Sequence, residues 1–129
     1  MSHLLAPVVD VVAQLRAAID EDHVRVVTAD PERVAQAIAG DGDVVVLVGM
    51  PGIDWATYHA HDVELPVYLI GTTLDYMRAW EAIDQVLDQI LTDPDLVPDK
   101  VRPASYRPAP TAAALPALTV TLTQARVSS

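Results

Sequence analysis

The sequence predicts an α+β (mixed α/β) fold: a single mixed or antiparallel sheet with helices packed on one face, in the order αβαβββαββ. Three observations carry that prediction. Apolar residues recur at helical spacing in two well separated segments, one near the N-terminus and one over 76–91. Between them lie valine-rich runs of strand length, and the last stretch alternates leucine and valine with threonine. Glycine, proline and aspartate gather at the junctions, where they end one element and start the next.

Each element follows from its own residues. Leu5, Val8, Val12, Leu15 and Ile19 recur at spacings of three and four, with Asp10, Gln14, Arg16 and Asp20 between them, so the first helix buries that stripe. His23 to Thr28 reads as a short strand because Val24, Val26 and Val27 are β-branched. Asp30-Pro31-Glu32 then supplies an N-cap, a proline at the first helical position and an early acid, opening a short helix that runs to Gly40. Asp41-Gly42 makes a turn. Asp43 to Met50 holds Val-Val-Val-Leu-Val, the continuous apolar run of a central strand covered on both faces.

After Pro51-Gly52, the segment from Ile53 to Val63 reads as a strand with Trp55, Thr57, His59 and His61 on one side and Tyr58 on the other. Leu65 to Thr72 reads as the next strand, with Pro66 near its start. Thr72 and Asp75 have capping-box spacing before Tyr76, Trp80, Ile83, Leu87 and Ile90, the strongest helical stripe in the chain. Its back carries Asp75, Arg78, Glu81, Asp84, Gln85 and Asp88. Six prolines from Thr92 to Pro116 exclude a helix there and leave an extended edge segment around Lys100 to Arg107. Leu118, Val120 and Leu122 then alternate with Thr119, Thr121 and Thr123, the period of a half-buried strand.

Size and charge limit the function. The 129 residues suit one domain, 1–129, with 94–116 as a proline-rich extended or loop segment. With no cysteine, the chain offers no disulfide, no thiolate metal site and no cysteine nucleophile. A net charge of -10 repels nucleic-acid phosphates and anionic lipid at long range, so no specific nucleic acid and no membrane is expected as a partner. The longest uninterrupted apolar run, Val44 to Val48, falls far short of the roughly 18 residues of a membrane span. The N-terminus lacks the basic patch and cleavage site of a secretory signal, and the mature chain is expected to begin near Met1.

Constellations for chemistry are few. His59 and His61 stand at i and i+2 of one expected strand, so their imidazoles share a side, but Asp62 points the other way and His3 and His23 lie in other elements. With Trp55 and Tyr58 beside them, they read as a contact face between proteins, since aromatic side chains with a polar end favour such surfaces. Val48-Gly49-Met50-Pro51-Gly52 follows a buried strand but lacks the lysine and the helix start of a phosphate loop, and reads as a tight turn. No serine sits in a nucleophile elbow. Three of the eight bases, Lys100, Arg102 and Arg107, fall in one short extended segment beside Tyr106. That strip fits either an acidic surface on a neighbouring copy or an edge strand guarded against aggregation. No catalytic residue, metal or cofactor is expected.

Leu65-Pro66-Val67-Tyr68-Leu69-Ile70, the helix Tyr76 to Leu91, the proline-broken stretch ending Ala104-Ser105-Tyr106, and Leu115-Pro116-Ala117-Leu118-Thr119-Val120-Thr121 follow one another in the second half. In that order they resemble the tail terminator proteins of long-tailed (siphovirus-type) bacteriophages. The resemblance spans residues 1 to 125 in element order and is one of architecture, because that family has no catalytic signature. It implies a structural virion protein that forms a homo-oligomeric, hexameric ring at the head-proximal end of the tail. Such a ring caps the tail tube, ends its polymerisation and joins it to the head-tail connector. The implied partners are the tail tube protein and the connector (stopper) protein, with assembly in the bacterial host cytoplasm. The extra helix between Asp30 and Ala39 departs from the family's pattern and keeps a head-completion or other connector protein as an alternative. A small metal-dependent enzyme using His59 and His61 is the rival from another class. The expected interface residues are Trp55, Tyr58, His59, His61, Lys100, Arg102, Tyr106 and Arg107.

Overall fold

A computed structural model describes residues 5–19, 24–38, 44–55, 60–73, 75–94, 96, 98–107 and 110–127. Among the described residues, three helices and six strands follow the expected order: α1 (Leu5–Ala18), β1 (Val24–Thr28), α2 (Pro31–Ile38), β2 (Val44–Val48), β3 (Gly52–Trp55), β4 (Ala60–Gly71), α3 (Tyr76–Leu91), β5 (Pro98–Tyr106) and β6 (Leu115–Val127). The strands form one mixed sheet in the order β1-β2-β4-β6-β5, with β3 paired to the first part of β4. Among the described strands, β1 and β2 run parallel and the other pairs are antiparallel. The fold is α+β, as the hydrophobic periods predict.

One face of the sheet carries the larger core. Val44, Val46 and Val48 of β2, Val63, Leu65, Val67 and Leu69 of β4, and Leu118, Val120 and Leu122 of β6 point to it by the two-residue alternation of strands. Against them pack Val8, Val11 and Leu15 of α1, with Ile19 just beyond it, and Ala82, Ile83, Val86 and Ile90 of α3. The second cluster lies on the opposite face, where Val34 of α2 meets Val45, Leu47, Ile70, Leu115 and Ala117. Helices therefore cover both faces, and the expected one-sided helix layer is corrected. α1 already touches β1 and β2 on the first face. Every residue of β2 is apolar and buried, so its other side needs a cover of its own. The crossover between the parallel β1 and β2 supplies it.

Helix phases are also corrected. In α1 the buried stripe is Val8, Val11 and Leu15, while Leu5 is 55% exposed and Val12 only partly buried. In α3, Ala79, Ala82 and Val86 join the expected Ile83 and Ile90 beneath the helix; Tyr76 is 65% exposed, and Trp80 and Leu87 sit at the margin. The close approach of α3 to the sheet is the reason. A Cβ placed on Gly71 would lie 2.8 Å from the Cβ of Ala79, so only small residues fit at the crossing and the bulky aromatics rotate outward.

The middle of the chain departs from the expected strand boundaries. Ile53 to Val63 is not one strand: β3 ends at Trp55, residues 56–59 lie outside the described residues, and β4 runs unbroken from Ala60 to Gly71 through Glu64. β2 and β3 lie along the same edge of β4, and their registers, Val48 with Val67 and Gly52 with Glu64, differ by one residue. That one-residue bulge falls across Gly49, Met50 and Pro51. The carbonyl of Pro66 accepts from the Gly49 amide at 2.8 Å, so proline's missing donor faces the same bulge, where no partner is required.

Caps fix the helix starts. The Asp30 carboxylate accepts from the Glu32 amide at 3.0 Å, as its place before Pro31 predicts. For α3 the cap is Asp75, which accepts from the Arg78 amide at 3.2 Å, while the Thr73 hydroxyl accepts from the Asp75 amide at 3.3 Å. The expected Thr72 box is thereby replaced, because the helix begins three residues later than that box requires. Arg16 donates from Nη2 to the Val27 carbonyl at 3.0 Å and ties the end of α1 to the edge strand β1.

Candidate functional site

The outer half of the second face has no helix over it among the described residues. It is built by β4, β6 and the edge strand β5. In β6 the Leu118, Val120 and Leu122 side chains enter the core, so Thr119, Thr121 and Thr123 point the opposite way and are half-buried. Register pairing sets Lys100 opposite Thr121 and Arg102 opposite Thr119, which puts both cations on that open face. There Lys100, Arg102, Pro103, Thr119 and Thr121 line a shallow depression of about 370 Å³. β5 is exposed along its length except at its two ends, as an edge strand with Pro98 and Pro103 can be.

The expected contact residues separate into two groups. Lys100 and Arg102 are exposed and lie together. Tyr106, at the end of β5, is half-buried and packs against the second core cluster, so it anchors the strand. Arg107 donates from Nη1 to the Ala112 carbonyl at 3.3 Å and braces the turn into β6. In the other group, Trp55 and His61 are backbone partners across the β3–β4 pair. Tyr58 and His59 lie outside the described residues. The two groups sit at different places in the sheet: β3 pairs the far side of β4 from β6, and β5 lies beyond β6. Among the described residues, no group of three or more histidine, aspartate or glutamate side chains is placed to hold a metal ion.

Two features escaped the sequence reading. The first is an apolar hollow of about 470 Å³ between the start of α3 and the β5–β6 turn, lined by Tyr76, Trp80, Pro103, Ala104, Ser105 and Leu115 among others. Tyr76 and Trp80 meet edge to face there, with ring centroids 6.2 Å apart. The Trp80 indole N–H is buried without an acceptor among the described residues. The second is the outward stripe of α3, in which Met77, Glu81, Asp84, Asp88 and Leu91 recur at spacings of four and three and are all exposed. The acids were legible, but the flanking Met77 (65% exposed) and Leu91 (54% exposed) became a surface feature only once the helix phase was known.

No family model, curated protein or solved structure matches the chain. No helix among the described residues is long and apolar enough to cross a membrane.

Proposed function

We propose that this chain is a structural subunit of a phage virion: a tail terminator that assembles as a homo-oligomeric ring, caps the tail tube and joins it to the head-tail connector. The observation that carries the reading is the unroofed outer half of the sheet. A small chain has covered β2 on both sides yet leaves the stretch of β6 and β5 around Thr119, Thr121, Lys100 and Arg102 open on the second face, in a molecule whose net charge is -10. A flat polar sheet face beside an exposed edge strand suits contact with other proteins better than it suits enclosing a substrate. The order of elements, αβαβββαββ, supports the same reading through the resemblance to that family.

The role is mechanical. Subunits that bind one another around the tube end present a closed ring in place of the next tube layer, and polymerisation stops because the tube protein loses its growing surface. Size exclusion with light scattering on the purified protein, alone and mixed with tail tube protein, tests the proposal. A ring-sized particle in either sample supports it, and a strict monomer in both at high concentration contradicts it.

A further inference from the structure

We infer that the open face of β5 and β6 binds the outward stripe of α3 on a second copy of this chain, forming a head-to-tail contact. The inference rests on the ring reading above and specifies its surfaces. Charge complementarity carries it. Lys100 and Arg102 are exposed on the open face, and among the described residues they make no ion pair. Glu81, Asp84 and Asp88 are exposed on α3, likewise without an ion-pair partner among the described residues. Three of the other cations in described segments already bond within the subunit: Arg16 with the Val27 carbonyl, Arg107 with the Ala112 carbonyl, and Arg78 at the start of α3. Lys100 and Arg102, exposed and two residues apart on one face of β5, form a paired cationic site for an acidic partner.

Spacing agrees with charge. Residues i and i+2 of a strand are about 6.7 Å apart along its axis, which separates Lys100 from Arg102. Residues i and i+4 of a helix are about 6 Å apart along its axis, which separates Asp84 from Asp88. One cation can thus face each carboxylate when the helix lies along the strand. Met77 and Leu91, exposed at the two ends of the acidic stripe, supply apolar area to flank the charges.

The two surfaces lie on opposite sides of the subunit. α3 packs on the first face of the sheet and turns its acids away from it, whereas Lys100 and Arg102 stand on the second. A contact between them cannot be isologous, so it passes from each copy to the next and closes as a ring or continues as a filament.

Charge reversal tests this. Lys100→Glu with Arg102→Glu makes both surfaces acidic, and Glu81→Lys with Asp84→Lys and Asp88→Lys makes both basic. All five positions are exposed, and circular dichroism checks the fold of each variant. Each variant alone should associate at least about tenfold more weakly than the wild type in light scattering. An equimolar mixture should recover wild-type assembly, because every contact in an alternating arrangement then pairs opposite charges. Raising salt from low to high should weaken wild-type association by about tenfold without any substitution. If the wild type assembles and the variants or the salt leave it unaltered, or the mixture fails to recover it, these surfaces are wrong while the ring reading stands. A wild type that stays monomeric both alone and with tail tube protein overturns both. Single-stranded DNA binding at Lys100 and Arg102, lost in the reversed variant, would replace the second copy as the occupant and overturn the inference.

Discussion

The two halves of the sheet differ in how many of their faces are covered. Around β2, both faces are packed, by α1 and α3 on one side and α2 on the other, and all five residues from Val44 to Val48 are buried. Along the middle of β6 only one face is packed: Leu118, Val120 and Leu122 are buried while Thr119 and Thr121 remain half-open, and β5 beside them is exposed between its two ends. The composition of each strand follows its cover. An uninterrupted valine run costs nothing where no water reaches, whereas threonine keeps a β-branched shape and a hydroxyl where water or a partner does. The difference teaches where the molecule is finished by its own chain and where it presents surface to another.

Substitutions can break or sharpen that contrast. Leu69→Ala, in the doubly packed half, should cost about 2–5 kcal/mol in urea unfolding, through lost transfer energy and a cavity. Gly71→Val should cost about 1–3 kcal/mol, since even a Cβ there meets Ala79 at 2.8 Å and the helix must lift. Val34→Ala should cost about 1–2 kcal/mol, because Val34 is the only residue that α2 buries on the second face. Asp75→Ala should cost about 1 kcal/mol through the lost cap of α3. Thr121→Ala or Arg102→Ala on the open face should stay within about 0.5 kcal/mol for the isolated subunit, so any larger effect on assembly belongs to the contact. For the histidine pair, metal analysis after chelation should show no tightly held ion, and an ion lost together with activity on replacing His61 would favour the metal-dependent rival.

Much of the architecture was legible from local pattern. The alternation in β6, the valine run of β2 and the Asp30-Pro31 start of α2 each state their structure in a few residues. The helix phases were not, because Tyr76 and Trp80 score as core by hydropathy while the space beneath α3 at Gly71 admits only alanine. Neither was the side taken by α2. A strand buried on both faces conflicts with helices on one face only, and that conflict was already present in the valine run. The continuity of β4 through Glu64 was hidden because Glu64 and Pro66 look like an end, yet the first is an exposed alternate position and the second sits opposite a bulge. Of the site, the clustering of Lys100 and Arg102 was visible in sequence, but their shared face with Thr119 and Thr121 required the register. The acidic stripe of α3 acquired its meaning from lying on the opposite side of the sheet.

Hydrogen–deuterium exchange, followed peptide by peptide at low and high protein concentration, tests the central claim most directly, because it reports which face becomes covered when copies meet. Slower exchange at high concentration in peptides spanning 98–107, 115–123 and 81–91, with α1 unchanged, is the predicted result. Uniform exchange at every concentration, or protection confined to α1, would contradict the claim that the open half of the sheet is the surface this protein offers to others.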